Sequence, residues 1–96
     1  MLFVATGRFR KNAEAVRDEI HEQFSDHLTQ HGPELRIRLG GSLRDAAGKR
    51  TGVLLLVEAA GPENVQRFLD SSPYALGGLY ESTSLDLVDL EIGTMA

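Results

Sequence analysis

The sequence predicts one α+β domain of the ferredoxin-like βαββαβ type, whose four strands form a single antiparallel sheet. Its 96 residues suit one small domain. Two segments have apolar residues at helical spacing, and four have the apolar runs or the alternation that strands show. The first and third strands are apolar on both faces, which places them in the middle of the sheet and the other two at its edges.

The first half of the chain predicts a strand, a helix and an edge strand. Residues 2–6 are a short apolar run. Residues 11–30 are predicted to form the helix, with Asn12 as a candidate N-cap. Residues 35–40 alternate apolar and polar side chains, which is the period of a half-exposed strand. The buried stripe of the helix is spaced by three or four positions and consists of Ala13, Val16, Ile20, Phe24 and Leu28.

The second half predicts a hairpin, a second helix and a last strand. Residues 45–48 are the turn that leads into the central strand, residues 53–57. The second helix opens at Pro62, because proline suits the first turn of a helix. The last strand is predicted over residues 79–92. Its apolar residues change face near residues 87–88, which predicts a bulge or a break there.

One face of the predicted sheet has no helix to cover it. Leu54 and Leu56 point to the face opposite Val53, Leu55 and Val57, and two helices can cover one face only. Leucine side chains left in water cost about 25 cal/mol per Å² of apolar area. A second copy of the sheet would cover this face, so we expect a homodimer closed through its sheet faces.

Opposite charges stand on the two predicted edge strands. The second strand has Arg36 and Arg38, and the end of the fourth has Asp89 and Glu91. A dimer closed through its sheet faces can bring one subunit's fourth strand beside the other's second strand. We therefore expect these charges to help set the register of the pairing, although exposed ion pairs contribute only about 0–1 kcal/mol each.

Composition and charge argue against several classes of protein. A net charge of −4 disfavours nucleic-acid binding, which needs a basic face. The absence of cysteine rules out disulfides, zinc–thiolate sites and thiol nucleophiles. No segment approaches the roughly 20 apolar residues of a membrane span, and the apolar start of the chain is too short for a signal peptide. The expectation is a soluble cytoplasmic protein without a nucleic-acid or membrane partner.

Several short motifs follow one another at a characteristic spacing between residues 39 and 84. They are, in order, Leu39-Gly40-Gly41-Ser42-Leu43, Gly48-Lys49, the run of residues 52–57 with Glu58-Ala59, Ser72-Pro73-Tyr74, and Gly78-Leu79-Tyr80-Glu81-Ser82. This succession resembles the YciI-like (YCII-related) family. The resemblance implies a dimeric α+β barrel with a histidine–aspartate active site.

The resemblance implies His27 as the general base, because a helical His-Leu pair precedes the family's Gly-Gly turn at a similar distance. Histidine suits that role near neutral pH. Ser72 stands where the family has its aspartate, and Asp70 is near enough in sequence to take that part. Gln23 and Phe24 stand where the family has an arginine before the histidine.

Three further residues match positions near the family's pocket, namely Gly41, Ser42 and Tyr74, and they are expected to bind the substrate. No G-x-G-x-x-G or Walker motif accompanies the two glycines, so a nucleotide site is not supported. Haem or flavin use has no support in the sequence either, and no cofactor is expected.

The candidate catalytic residues also have structural explanations. His27 flanks the buried stripe, where a histidine that makes one hydrogen bond is common. Ser72 followed by proline is the pattern of a helix N-cap. His21 and His31 are expected to be solvated, and the spacing of His27 and His31 indicates no third metal ligand.

Two functional classes follow. The first is a small enzyme that performs histidine-based proton transfer, as an isomerase, an elimination enzyme or a lyase, on a small organic acid. A cyclic or aromatic acid is favoured by analogy with the related muconolactone isomerase-like barrels. The second is a non-catalytic dimer that binds a small ligand or serves other enzymes as an accessory. An aspartate beside His27 favours the first class, and a His27 ring without access to a cavity favours the second.

Overall fold

The computed structural model describes residues 1–93 and has the βαββαβ order with one further short helix. Neighbouring strands are antiparallel, in the order β2-β3-β1-β4, so the first and third strands are central. The predicted fold class and strand order are confirmed. The elements are β1 (Leu2–Phe9), α1 (Glu14–Thr29), β2 (Leu35–Arg44), β3 (Arg50–Ala59), α2 (Pro62–Asp70), α3 (Pro73–Leu76) and β4 (Tyr80–Leu87).

The start of α1 differs from the prediction. Asn12 is not the N-cap; Ala13 has that position and makes no side-chain hydrogen bond to the helix. Asn12 instead has a φ of 61°, the left-handed conformation that asparagine tolerates better than most residues. It therefore turns the chain between β1 and α1.

The hairpin between β2 and β3 has the predicted turn. The Asp45 carboxylate accepts the backbone N–H groups of Ala47 and Lys49, each over 3.0 Å. Gly48 has a φ of 84°, which glycine adopts without the strain of a side chain. These contacts hold the two strands in register at the end of the sheet that lies near the start of α1.

The last strand is shorter than predicted. It breaks after Leu87, one of the two predicted alternatives, but it does not resume, so its predicted extent to residue 92 is wrong. The register shifts lie elsewhere. In β4, Glu81 is passed over between the partners of Arg8 and Phe9, and the pairing of β2 with β3 shifts between Ile37 and Leu39 and between Leu43 and Arg44. Val88 still donates its N–H to the Leu2 carbonyl over 2.8 Å, which closes the sheet beyond the strand.

The charges predicted to pair across the dimer do not all lie on regular positions of the edge strands. Arg38 is the residue that the β2 register shift passes over, and it forms an ion pair with Glu58 of the adjacent strand at 3.4 Å. Asp89 and Glu91 lie beyond the end of β4. The pairing of these charges across a dimer stays a prediction.

The helices cover one face of the sheet and form the core with it. Val57 and Leu55 of β3 pack with Phe3 of β1 and with Val65 and Phe68 of α2. A second cluster joins Phe24 of α1, Val53, Tyr74 of α3 and Leu79. This second cluster is the one that positions the candidate site.

The other face of the sheet is left open, as the sequence predicts. In the ladder Leu56 lies opposite Val4 and Leu39, and Leu54 lies opposite Thr6 and Gly41. Directly paired residues point to the same face. Leu39 is 52% exposed there, and Leu54 and Leu56 are half-buried.

Candidate functional site

A cavity of about 130 Å³ lies between α1, the edge strand β2, the central strand β3 and α3. The three predicted substrate-binding residues all line it: Gly41 and Ser42 come from β2, and Tyr74 comes from α3. Val53 and Leu55 of β3 form its apolar floor. The structure thus brings together residues that are more than thirty positions apart in the sequence.

One stripe of α1 forms the opposite wall. Successive turns of the helix each contribute one or two of its members, so they lie toward the same side: Arg17, His21, Phe24, Ser25 and Leu28. Phe24 anchors the stripe because its ring is buried in the core. Two of its polar members, Arg17 and His21, lie in the first half of the helix.

The two residues of β2 that face α1 are small, and this makes room for the cavity. Gly40 lies opposite Leu55 in the ladder, and Ser42 lies opposite Val53, so both point to the helix side. A Cβ atom on Gly40 would come within 2.9 Å of Leu55 Cδ2. Gly41, by contrast, points to the open face, and an added Cβ there meets nothing within 4 Å.

A histidine, a tyrosine and an arginine meet at one side of the cavity. Nδ1 of His21 lies 2.9 Å from the Tyr74 hydroxyl and 3.4 Å from a guanidinium nitrogen of Arg17. Arg17 is only 8% exposed and also pairs with Asp18 at 3.1 Å. Among the residues that the structure describes, none is hydrogen-bonded to Nε2 of His21.

The Tyr74 hydroxyl stays protonated at neutral pH. Burial raises the pKa of Tyr74, and the positive charges of Arg17 and Arg50 oppose that rise in part. The ring is fixed by stacking on Phe24 and by an edge contact with Phe9. A fixed ring with a protonated hydroxyl gives His21 a partner that can either donate or accept a hydrogen bond.

Ser72 acts as the cap of α3. Its hydroxyl accepts the Ala75 N–H over 3.2 Å, and the residue is 1% exposed. The Tyr80 hydroxyl is buried nearby. It interacts with Ser72, but no group of residues 1–93 lies in hydrogen-bonding geometry with it. Burial and the neighbouring Tyr74 raise the pKa of Tyr80, so this hydroxyl also stays protonated.

His27 lies on another side of α1, away from the predicted substrate-binding residues. Its Nε2 is 2.9 Å from the Phe68 carbonyl of α2, and its ring stacks on the Phe68 ring. It lines a different cavity of about 470 Å³, which it shares with His31 and Arg67. The residues predicted to bind the substrate beside His27 therefore line the cavity of His21 instead.

Asp70 lies at the end of α2 and does not reach either histidine. Its carboxylate is exposed and accepts the side-chain amide of Gln66 over 2.9 Å. The catalytic roles predicted for His27, Ser72 and Asp70 stay predictions, but the structure does not gather these three residues at one place.

A signal for His21 was present in the sequence. The resemblance expects an arginine shortly before the histidine, and Arg17 lies four residues before His21, whereas Gln23 and Phe24 precede His27. His21 is also three residues from Phe24 of the buried stripe. The expectation that His21 is merely solvated is therefore incomplete: the residue is exposed, but its ring is hydrogen-bonded at the cavity.

Residues 1–93 contain neither a metal-binding cluster nor a membrane-spanning helix. No group of three or more histidine, aspartate or glutamate side chains there is arranged to hold a metal ion. In the same part of the chain, no helix has both the length and the apolar character to cross a bilayer.

The sequence profile of the YCII-related domain matches residues 1–86. No protein of curated function matches the chain in sequence. Among solved structures, the chain resembles 5-chloro-2-hydroxyhydroquinone dehydrochlorinase (TftG) of Burkholderia phenoliruptrix AC1100, solved in complex with 2,5-dihydroxybenzoquinone. The TM-score is 0.82 with 23% identity over 93% of this chain and 94% of that one.

Two more distant structures share the fold. One is SnoaB, a cofactor-independent oxygenase from Streptomyces nogalater, with a TM-score of 0.53 and 14% identity over 96% of this chain and 93% of that one. The other is a NIPSNAP domain protein from Burkholderia xenovorans, with a TM-score of 0.53 and 15% identity over 98% and 99%. At these identities the likeness establishes the fold and not the activity.

Proposed function

The chain belongs to the family of YCII-related domains, and on this premise we propose that it is an enzyme that transfers protons on a small cyclic or aromatic organic acid, with His21 as the acid–base residue. The observation that carries the proposal is the 2.9 Å contact between His21 Nδ1 and the Tyr74 hydroxyl at a cavity. The proposal gives His21 the role that the resemblance had suggested for His27, because the expected neighbours lie beside His21.

The roles follow from what each group can donate. Arg17 has no acceptor, so its contact favours the tautomer in which Nδ1 of His21 is unprotonated and Nε2 carries the proton. The Tyr74 hydroxyl can donate or accept, and it can therefore stay bonded to Nδ1 in either protonation state. Nε2 can take a proton from the substrate only when the ring proton has moved to Nδ1, where the Tyr74 oxygen accepts it. The imidazolium so formed then returns the Nε2 proton to the substrate.

The arginine supports the same chemistry by its charge. A buried guanidinium beside the cavity would stabilise negative charge that develops on a substrate oxygen during isomerisation or elimination. The structural relatives favour small ring compounds as substrates: one acts on a chlorinated hydroxyhydroquinone and binds a benzoquinone, and another is an oxygenase that needs no cofactor.

The test follows proton transfer on ring compounds. The protein is incubated in D₂O with hydroxybenzoates and cyclic keto acids, and deuterium incorporation is followed by NMR. In parallel, chloride release is measured from 5-chloro-2-hydroxyhydroquinone, the compound named for the structural relative. His21→Ala should lower the rate on any active compound by about a hundredfold or more, the size expected for loss of an acid–base group.

His27→Ala is the matched control, since it removes the same side chain from the same helix at a different cavity. Its rate should stay near that of the unaltered protein. A large loss in His27→Ala together with an unchanged rate in His21→Ala would return the catalytic role to His27.

A second candidate function is ligand binding without catalysis. The observation that favours it is Ser72: its hydroxyl is engaged as a cap, and it cannot supply the carboxylate that the family pattern has there. Binding of ring compounds without turnover, and with the same affinity in His21→Ala, would support this function over the enzymatic one.

In either case we propose that the working form is a homodimer closed through the open sheet face. The leucine and valine side chains on that face support this assembly, because a second sheet would remove their apolar surface from water. A cytoplasmic location remains part of the proposal.

A further inference from the structure

A third cavity, of about 190 Å³, lies beside the start of α1 and the β2–β3 hairpin, and its lining is strongly basic. Half of the ten lysine and arginine residues of the chain line it, together with two carboxylates, although the whole chain has a net charge of −4. The basic members are Arg10, Lys11, Arg17, Lys49 and Arg50. The protein is acidic overall, but this cavity is lined mainly by positively charged side chains.

The basic residues of this cavity differ in whether their side chains already have a partner. Lys49 is paired with Glu14 at 2.7 Å, and the Arg10 guanidinium donates to the Gly78 carbonyl over 2.8 Å. The side chains of Lys11 and Arg50 make no hydrogen bond or ion pair with any residue from 1 to 93. They can therefore contact an anion without breaking an existing interaction.

The basic cavity adjoins the cavity of His21. Arg17, which is buried, lines both of them. Arg50 is also close enough to Tyr74 to act on it, since its charge opposes the rise in the pKa of that hydroxyl. A ligand that lies against His21 and Tyr74 therefore has a positively charged region next to it on the Arg17 side.

We infer that the basic cavity is the subsite for a carboxylate carried by the substrate, with Arg50 and Lys11 as its binding residues and Arg17 between the carboxylate and the ring. The guanidinium fork of arginine suits a carboxylate because two parallel N–H groups can donate to its two oxygens. The substrate class is then a ring compound with one carboxylate substituent. This inference rests on the proposed function in placing the ring beside His21.

The test compares two probes that differ by a single carboxylate, 2,5-dihydroxybenzoate and hydroquinone, by titration calorimetry at low salt. The unaltered protein should bind the carboxylate probe about tenfold more tightly or better, the effect of a charge-assisted hydrogen bond. Arg50→Gln should remove most of this preference, and Lys11→Gln combined with it should remove the rest. Added salt should weaken the carboxylate probe alone.

Arg44→Gln is the control, because Arg44 is an exposed arginine of the same hairpin that does not line the cavity. It should keep the preference. Equal affinity of the unaltered protein for both probes, no binding of either at millimolar concentration, or an equal effect of Arg44→Gln and Arg50→Gln would each overturn the inference.

His21→Ala separates this inference from the proposed function. A preference that persists in His21→Ala supports the carboxylate subsite even when the histidine proves to have no catalytic role. Loss of turnover in His21→Ala, with no preference for the carboxylate probe in the unaltered protein, would support the proposed chemistry and refute the subsite.

Discussion

The ring of Tyr74 stacks on the ring of Phe24 with their centroids 3.9 Å apart and 7° between their planes. This contact packs the short helix α3 against α1. The hydroxyl of the same tyrosine lies 2.9 Å from His21, which is one turn before Phe24 on α1. The packing that buries the aromatic ring therefore also determines where the hydroxyl meets the histidine.

Tyr74→Phe should separate these two roles. The substitution keeps the stacked ring and removes the hydrogen bond to His21, so the free energy of unfolding should fall by only about 1 kcal/mol. Tyr74→Ala also removes the buried ring and should cost about 3–5 kcal/mol. Urea unfolding of both variants gives the comparison, and equal losses would contradict the assignment of the ring to the core.

The two tyrosines of the chain should both titrate late in the folded protein. Burial is the main cause that raises the pKa of Tyr74 and of Tyr80. The near-ultraviolet absorbance of tyrosinate should stay low at pH 10 in the folded protein, whereas the chain unfolded in guanidinium should be half ionised near pH 10. The chain has no tryptophan and two tyrosines, so the signal is unambiguous.

The same shifts predict a loss of stability in alkali. A tyrosine whose pKa is raised by folding holds its proton more firmly in the folded state than in the unfolded one. Its contribution is complete below the unfolded pKa of about 10 and is lost as the pH rises through the folded pKa values. Urea midpoints should therefore fall above pH 10, and a midpoint that rises there would contradict the shifts.

Gly40→Ala should destabilise the protein, while Gly41→Ala should not. The methyl group on Gly40 would come within 2.9 Å of Leu55 Cδ2, and Leu55 is buried and cannot move aside freely. A cost of about 1–3 kcal/mol is expected for such overpacking. Gly41→Ala is the neighbouring control, since its methyl group points to open space. Thermal unfolding of both variants tests whether Gly40 faces the helices and Gly41 faces the open side of the sheet.

Leu54→Asp combined with Leu56→Asp should prevent dimer formation. These side chains lie on the open face of the sheet, where two carboxylates would make burial against a second sheet costly. Light scattering should show a monomer or an aggregate. Leu76→Asp, on an α3 leucine that is 76% exposed, is the control and should leave the mass unchanged. A double variant that remains a dimer would refute the proposed interface.

The sequence alone predicted the strand order and the uncovered face correctly, because both depend on which residues are apolar and at what period. A continuous apolar run such as residues 53–57 is typical of a strand in the middle of a sheet, away from its edges. The hairpin turn was equally local, since Asp45 and Gly48 make its contacts within four residues. The C-terminal end of β4 could not be predicted from local sequence, because the strand ends where β1 has no further residues to pair with it.

The choice of histidine was decided by the tertiary structure. His21 and His27 stand three residues before and three after Phe24, so at about 100° per residue each lies about 60° from it, on opposite sides of the buried stripe. The sequence marks both as flanking residues and does not distinguish the two sides. The packing does: α3 and the Gly40 side of β2 lie against His21, and the end of α2 lies against His27. Which histidine meets Tyr74 therefore depends on contacts between residues that are 53 positions apart, and the sequence pattern of one helix does not contain them.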